Sequence, residues 1–192
     1  MIQLVACCVF KVLCLNHARI FRTQLLEITV RVLPTIPQHL PTVDQIDVRD
    51  LPPSDPTTEK GALTWNYPLG KISGGSLATL VRTPHHEVGG HWHEAIPNKN
   101  PERFILLSGT MVFTFEDAGG ARRVERIETT MLGRKILLTI PPFIMHWVKV
   151  ESDVALFQEV QREPFQLTDN WSPSDWIRFK EAVALSQSKD KP

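Results

Sequence analysis

The stretch Gly89-Gly90-His91-Trp92-His93 indicates both the fold and the site of this protein. Residues two apart on a β-strand project from the same face. His91 and His93 are therefore predicted to point together, and Trp92 is predicted to point the opposite way. Two imidazoles on one face of a strand suit a borderline divalent metal ion. The stretch predicts a strand that carries two metal ligands.

Glu102 is the predicted carboxylate ligand. It directly precedes Arg103 and the apolar run 104–107, so a strand that starts at Glu102 places its side chain on the same face as Phe104. A carboxylate on a core face is costly unless it is paired or bound to a cation. The alternatives are a solvated strand end, or an ion pair with Arg103 or Lys99.

His146 is the fourth predicted ligand. It follows a rigid turn at Pro141-Pro142 and shares the face of Val148, so another polar group falls on an apolar side. The alternative is that the three histidines are unrelated and are satisfied by backbone or solvent. Glu94 is a competing ligand, although it points away from His93 if the strand continues.

The middle of the chain has the sequence pattern of an all-β domain. Short apolar runs alternate with turn residues from residue 61 onward, which is typical of a sandwich or barrel. The predicted strands span residues 76–82, 103–107, 110–116, 122–130, 135–140, 146–150 and 154–160.

The two ends of the chain differ from this middle part. The alternation in 27–32 predicts a strand, 16–26 is compatible with a helix, and the proline-rich region 34–56 is interpreted as an extended arm or linker. Ser172-Pro173 predicts the start of a short C-terminal helix, and 186–192 is expected to fray. The predicted domains are an N-terminal extension and arm over 1–60, a barrel over 61–165, and the C-terminal helix and tail over 166–192.

The ligand spacing resembles the two motifs of the cupin superfamily. The first motif has a His-x-His pair, then a Glu, and a Gly after six further residues; here these are His91, His93, Glu102 and Gly109. The second motif has a proline followed by a histidine, matched here by Pro141 and His146. The resemblance covers residues 61–165 and implies a double-stranded β-helix, or jelly-roll, barrel in which His91, His93, Glu102 and His146 bind one metal ion. The segment 99–109 is also similar to small cupins attached to sugar-nucleotide and capsule biosynthesis.

The chain departs from the family pattern in several places. Eight residues separate His93 from Glu102, so the connecting loop is longer than usual. Phe143 replaces the glycine of the second motif, so the turn is not expected to use a positive φ there. Val150 replaces the final asparagine. The departures leave the fold prediction standing and leave the reaction open.

A pocket is predicted beside the metal. Alternate residues of the run after Glu102 are interpreted as core, and some of them are expected to line an apolar pocket, with Gln158 facing inward from the last strand. His85 and His86 are either acid–base groups at the barrel mouth or part of a solvated loop. The predicted pocket residues are Phe104, Leu106, Met111, Phe113, Phe115 and Gln158.

Trp92 and Trp147 are predicted to point outward and to need cover. The N-terminal arm, the C-terminal helix or a second subunit could supply this cover, and a homodimer is the preferred hypothesis. The three cysteines all lie within the first 14 residues, which fits a reducing, cytoplasmic location. Lys plus Arg equals Asp plus Glu, at 21 each, so nothing points to nucleic acid, and the apolar N-terminal stretch is too short for a membrane span.

The predicted ligand set leaves positions open on a six-coordinate ion, so substrate or dioxygen could bind. The cofactor is expected to be one divalent transition metal: Fe, Mn, Ni or Zn. The preferred function is a metal-dependent, dioxygenase-like enzyme acting on a small organic molecule, because no separate base stands out in the sequence. The alternatives are a sugar-type isomerase or epimerase, and a non-catalytic module that binds or senses a small molecule.

Overall fold

The computed structural model describes residues 31–51, 76–84, 88–161 and 167–189. The chain divides into two units, residues 1–33 and 34–192, and the fold described below lies in the second. The predicted strand 27–32 falls mainly outside the described residues, as do the possible helix 16–26 and the pair His85-His86. Within the described residues, no helix has the length and apolar character needed to cross a membrane.

Eight antiparallel strands and one α-helix form the described fold. They are β1 (Asp47–Leu51), β2 (Ser76–Arg82), β3 (Val88–His91), β4 (Glu102–Glu116), β5 (Arg122–Thr129), β6 (Lys135–Ile140), β7 (Met145–Val150), β8 (Ala155–Gln161) and α1 (Pro173–Lys189). Single 3-10 turns occupy Val43–Gln45, Pro97–Lys99 and Leu167–Asp169. The predicted all-β class, with a short C-terminal helix, is confirmed.

The long strand β4 joins two layers of sheet. Its first part pairs with β6 and β8, and its second part pairs with β5 and β7. The two predicted strands 103–107 and 110–116 are therefore one strand, with a register shift between Leu106 and Ser108. Gly109 has φ +105°, and a Cβ there would lie 2.6 Å from the Val154 carbonyl oxygen. Glycine thus lets β4 pass close to the start of β8 where the strand changes layer.

The core lies between the two layers. Alternate residues of β4 face inward, as the period of two requires, and Phe113 and Phe115 are stacked with ring centroids 5.9 Å apart. Full burial of one such side chain contributes about 1.5–3 kcal/mol. The other core members on β4, β6 and β7 are Leu106, Met111, Ile136, Leu138, Ile140, Val148 and Val150.

The C-terminal helix begins where the sequence predicts. The Asp175 N–H donates to Ser172 Oγ at 3.2 Å, and the Ser172 N–H donates to Asp175 Oδ2 at 3.2 Å, which is a reciprocal cap. Trp176, Phe179 and Val183 form the buried stripe. The helix continues to Lys189, so part of the segment expected to fray is helical.

Part of the proline-rich arm is a strand. The ten residues 42–51 lie between Pro41 and Pro52 and contain no proline, so their N–H groups are available for sheet pairing. Asp47–Leu51 pairs antiparallel with β6 at the edge of the sheet.

Candidate metal centre

The four predicted ligands converge. Their ligand atoms all lie within 4.8 Å of one another. His91 is the last residue of β3, Glu102 the first of β4, and His146 lies on β7, while His93 follows β3 in an irregular segment. His93, Glu102 and His146 are buried, and His91 is half-buried. Glu94, the competing ligand, is not part of the converging set.

A β-bulge brings His91 to His146. Val88 pairs with Val148 and Gly89 with Trp147, but His91, and not Gly90, pairs with His146. Gly90 is thus the extra residue of the bulge, and its φ of +70° is the left-handed conformation that glycine adopts without strain. The bulge places the His91 and His146 rings 4.6 Å apart, with their Nε2 atoms at 3.2 Å.

The backbone after β3 is kept extended by the C-terminal segment. Trp92 N–H donates to the Trp171 carbonyl at 3.1 Å, and Trp171 N–H donates back to the Trp92 carbonyl at 2.9 Å. The alternation therefore continues beyond the strand: Trp92 packs among aromatic rings, while His93 lies beside His91 with ring centroids 4.7 Å apart. The predicted pairing of His91 with His93 and the opposite direction of Trp92 agree with this geometry.

Phe143 holds the second-motif turn in a conformation that the sequence did not predict. Its φ is +59°, so the expectation that this turn avoids a positive φ is wrong. The left-handed conformation costs a non-glycine residue about 1–2 kcal/mol. The buried Phe143 ring offsets this cost by stacking on Phe179 at 5.6 Å, and its N–H donates to the His93 carbonyl at 2.7 Å.

Backbone carbonyls orient two of the imidazoles. Nδ1 of His93 donates to the Asp169 carbonyl at 2.7 Å, and Nδ1 of His146 donates to the Ile144 carbonyl at 3.1 Å. A neutral imidazole that donates from Nδ1 keeps a lone pair on Nε2, which is the form that binds metals.

These lone pairs face an acceptor. Nε2 of His93 and Nε2 of His146 each lie 3.3 Å from Oε2 of Glu102. Oε2 of Glu102 and Nε2 of His93 are buried without a hydrogen-bond partner. Buried polar atoms are rarely left in this state, and a cation placed between them would satisfy both. The donor set of three imidazoles and one carboxylate therefore fits a divalent transition metal.

The surroundings favour uncharged imidazoles at His91 and His146 beside an ionised Glu102. Burial, with His146 and His93 close by, lowers the pKa of His91 to about 3. Burial lowers the pKa of His146 to about 4. Burial alone would raise the pKa of Glu102, but the neighbouring His93, His146 and Lys99 bring it well below its usual range. At neutral pH the two imidazoles are uncharged and the carboxylate is ionised, as metal binding requires.

The cluster opens on a cavity of about 320 Å³. Of the predicted pocket residues, Phe104, Met111 and Phe113 lie in its wall. Leu106 and Phe115 lie in the packed core and do not line the cavity. Gln158 does not line it either.

Gln158 was predicted to face inward, but its side chain lies on the other face of β8. Its neighbours Phe157 and Glu159 line the cavity, because residues two apart share a face and Gln158 falls on the other one.

Lys99 and Glu159 are site residues that the sequence reasoning did not select. The Lys99 side chain is 4% exposed, and its Nζ donates to Oε1 of Glu102 and to Oε1 of Glu159, each at 2.5 Å. The predicted alternative to metal ligation, a Lys99–Glu102 ion pair, is present, but it uses Oε1, whereas His93 and His146 lie beside Oε2. Both interactions are therefore compatible. In the sequence, Lys99 could have been selected from its position three residues before Glu102. Glu159 could have been selected only from the inward or outward phase of its strand.

Arg82 was also missed. It lines the cavity, and its Nη1 donates to the Val81 carbonyl at 3.0 Å. Among the described residues, no carboxylate forms an ion pair with Arg82.

The comparisons with known proteins bear on the fold. No family model matches the chain, and no curated protein matches it significantly. Among solved structures it is similar to the TDP-quinovose 3,4-ketoisomerase of Campylobacter jejuni, with TM-score 0.55, 13% identity, and 72% of this chain covering 99% of that one. A 3,4-ketoisomerase from Helicobacter canadensis gives TM-score 0.53, 10% identity, and coverage of 71% and 98%. A 3′-monoepimerase from Streptomyces bikiniensis, in complex with dTDP-quinovose, gives TM-score 0.52, 10% identity, and coverage of 66% and 68%.

A further match is to the capsular polysaccharide assembling protein CapF of Staphylococcus aureus, at 19% identity and TM-score 0.40. The chain spans 26% of the length of that protein, and the score is too low to support an argument. The structures with higher scores are RmlC-like cupins, so the described part of the chain has the cupin fold, as the motif resemblance implied.

Proposed function

We propose that this cupin-fold protein binds one divalent transition metal through His91, His93, Glu102 and His146, and acts as an isomerase or epimerase on a sugar-type carbonyl compound. The main support for a metal is a group of buried polar atoms that includes Oε2 of Glu102 and Nε2 of His93 and His146. Two of these atoms, Glu102 Oε2 and His93 Nε2, have no hydrogen-bond partner. When bound, the metal would act as a Lewis acid on a carbonyl or hydroxyl oxygen of the substrate. The ligand set suits Fe, Mn, Ni or Zn.

Glu159 is the group that favours isomerisation over oxygenation. The sequence offered no base beside the ligands, which favoured a dioxygenase. The fold brings the Glu159 carboxylate to the cavity wall, and its Oε1 lies at most 5.0 Å from Oε1 of Glu102, since each is 2.5 Å from Lys99 Nζ. Solved structures of similar fold include ketoisomerases and an epimerase, which supports the same reaction class.

The proposed step is a proton transfer at carbon. The Glu159 carboxylate removes the proton from a hydroxyl-bearing carbon next to the substrate carbonyl. The electron pair of that C–H bond forms a carbon–carbon double bond, and the carbonyl π pair moves onto the carbonyl oxygen, which gives an enediolate. The carbonyl moves when the hydroxyl proton passes to that oxygen and Glu159 returns its proton to the former carbonyl carbon. The configuration inverts when the first carbon instead takes a proton from solvent on its opposite face and Glu159 releases its own proton to solvent. Lys99 holds Glu159 in place during both transfers, because its ammonium donates to Oε1.

Arg82 suggests the substrate class. Lys99 is balanced by two carboxylates, whereas the Arg82 guanidinium lines the same cavity without a carboxylate partner among the described residues. A guanidinium binds carboxylate or phosphate groups well. We therefore propose a substrate with one anionic group as well as the reacting carbonyl.

The metal is tested by elemental analysis of the purified protein beside three variants. We expect about one equivalent of a transition metal in the parent, and its loss in His91→Ala and His146→Ala. His39→Ala is the matched control, because His39 is exposed and is not part of the cluster. A parent that stays metal-free after reconstitution would exclude the metal centre.

The reaction is tested in D₂O with a panel of α-hydroxy carbonyl sugars, with and without a carboxylate or phosphate group. We expect deuterium to enter at carbon in the anionic members, and the rate to fall about 10²–10⁴-fold in Glu159→Gln, the range expected for loss of one acid–base group. Dioxygen consumption with an oxidised product, and no deuterium uptake, would favour the dioxygenase instead. Binding without turnover or exchange would favour the sensing module.

The homodimer and the cytoplasmic location remain proposals. Trp92 no longer supports a dimer, because it is fully buried within its own chain. Trp147 is half-buried and lines a shallow groove with Gly89, Gly90 and Val112, so this face is the one that a second copy would cover. Sedimentation velocity at micromolar concentration separates a dimer from a compact monomer.

A further inference from the structure

Lys99 is a buried cation in the wall of the proposed metal site. Its side chain is 4% exposed, and its Nζ lies between two carboxylates. A buried ammonium is costly unless it is paired and hydrogen-bonded, so Glu102 and Glu159 stabilise it. The Lys99 ammonium would also repel a metal ion bound nearby. Its presence beside the proposed metal site therefore calls for an explanation.

The two oxygens of Glu102 have separate tasks. Oε1 accepts from Lys99 Nζ at 2.5 Å, whereas Oε2 faces Nε2 of His93 and of His146 at 3.3 Å. A carboxylate with two free oxygens can bind a cation through both of them. With an ammonium on Oε1, one oxygen remains for the histidine side.

Glu159 would otherwise compete for the metal. Its Oε1 is held by the same ammonium, at most 5.0 Å from Oε1 of Glu102, since each oxygen is 2.5 Å from Nζ. Two carboxylates this close form a hard, oxygen-rich pair of the kind that Mn²⁺ prefers. The ammonium therefore keeps Glu159 apart from the ligand set.

We propose that Lys99 is a positioning residue of the metal centre: it limits Glu102 to one ligating oxygen and keeps Glu159 from becoming a ligand. The inference rests on the proposed metal site. Its consequence is selectivity, because a site with three imidazoles and one carboxylate oxygen favours Zn²⁺ over Mn²⁺ more strongly than a site with additional carboxylate oxygens.

The first test uses the parent protein loaded with Zn²⁺. X-ray absorption at the zinc edge should show a carboxylate bound through one oxygen. A carboxylate bound through both oxygens, or a second carboxylate ligand, would overturn the proposal without any variant.

The second test compares the parent with Lys99→Met, which has an unbranched side chain of similar length and no charge. Chelator competition should show the ratio of Zn²⁺ to Mn²⁺ affinity falling about tenfold or more in Lys99→Met, the scale of a lost outer-shell partner. The absorption spectrum of the Co²⁺-loaded variant should change as oxygen ligands are added. In the double variant Lys99→Met/Glu159→Gln, Glu159 can no longer bind as a carboxylate. The affinity ratio and the Co²⁺ spectrum should therefore return part of the way to those of the parent.

The outcomes separate the two proposals. An unchanged affinity ratio and Co²⁺ spectrum in a folded Lys99→Met, with metal bound to the parent, would mean that Lys99 only packs the cavity wall. If Lys99→Met does not fold, the zinc-edge measurement on the parent still decides the matter. A parent that binds no metal would overturn the metal centre and this inference together.

Discussion

Glu102 has different partners on its two oxygens, and this division explains its burial. One oxygen accepts from Lys99, and the other lies 3.3 Å from Nε2 of His93 and from Nε2 of His146. A residue 2% exposed thus has half of its acceptor capacity satisfied by the protein and the other half directed at the position of the proposed cation. From the sequence, ion pairing and metal ligation were alternatives, whereas the geometry allows both at once.

The histidines predict how the metal-free protein responds to pH. An unfolded histidine titrates near pH 6.5, whereas burial holds the pKa of His91 at about 3 and of His146 at about 4 in the fold. Between these values the unfolded chain binds more protons, so stability falls as the pH is lowered below about 6.5. The slope should approach about 1.4 kcal/mol per pH unit for each of these two histidines.

Urea unfolding of chelator-treated protein between about pH 7 and about pH 4.5 measures this slope. His91→Ala should show a shallower dependence, because one of the two depressed groups is gone. A stability that does not change over this range would contradict the burial of neutral imidazoles. Glu102 acts in the same direction at lower pH, because its pKa is also held down in the folded protein.

At the scale of elements, the bulge between β3 and β7 sets the geometry of the site. Gly89 and Gly90 both have positive φ, at +93° and +70°, but their surroundings differ. A Cβ on Gly89 would lie 2.9 Å from the His146 carbonyl oxygen and 3.0 Å from Trp147 Cα, whereas one on Gly90 would meet the Trp147 ring at 3.5 Å. The first contact pushes two backbones apart, and the second is ordinary packing.

Alanine substitutions at these two glycines should therefore differ in cost. Gly90→Ala should lose about 1–2 kcal/mol, the cost of a left-handed non-glycine residue. Gly89→Ala should lose about 1–3 kcal/mol more through overpacking, and should also weaken metal binding, because it separates β3 from the strand that carries His146. Urea unfolding and chelator competition measure the two effects. Equal losses of stability in Gly89→Ala and Gly90→Ala would show that β3 and β7 can move apart at no cost in free energy.

At the scale of the whole molecule, the C-terminal helix is part of the site's support. Glu116, at the end of β4, accepts from Trp176 Nε1 at 3.1 Å and from Lys180 Nζ at 2.5 Å, which fastens α1 to the barrel. Phe179 contacts the rings of Trp92 and Phe143 at 4.7 and 5.6 Å. Trp92 precedes His93 in the chain, and the Phe143 N–H donates to the His93 carbonyl, so the helix supports the backbone around this proposed ligand.

Phe179→Ala should destabilise the protein by about 3–5 kcal/mol, the usual cost of removing a buried phenylalanine. It should also lower metal affinity, because Phe143 loses the stacking that stabilises its left-handed conformation. The control is Ile177→Ala on the same helix, where the side chain is 57% exposed and the expected change is within about 0.5 kcal/mol. Loss of stability with unchanged metal affinity would separate the helix from the site.

The sequence by itself determined the strands of the barrel, the C-terminal helix and the four converging side chains. These depend on periodicity and on spacing within short segments: alternation along one strand paired His91 with His93, and the apolar faces of two further segments, together with the motif spacing, pointed to Glu102 and His146. The strand β1 was missed because prolines on both sides masked a proline-free segment.

Only the tertiary structure decided what surrounds these four side chains. The pairing of Lys99 with Glu159, the Asp169 carbonyl behind His93 and the cover over Trp92 each join segments more than 50 residues apart. A one-residue change in strand phase exchanges Gln158 for Glu159 at the cavity wall. Contacts of this kind depend on register and on which elements become neighbours, and no local pattern contains that information.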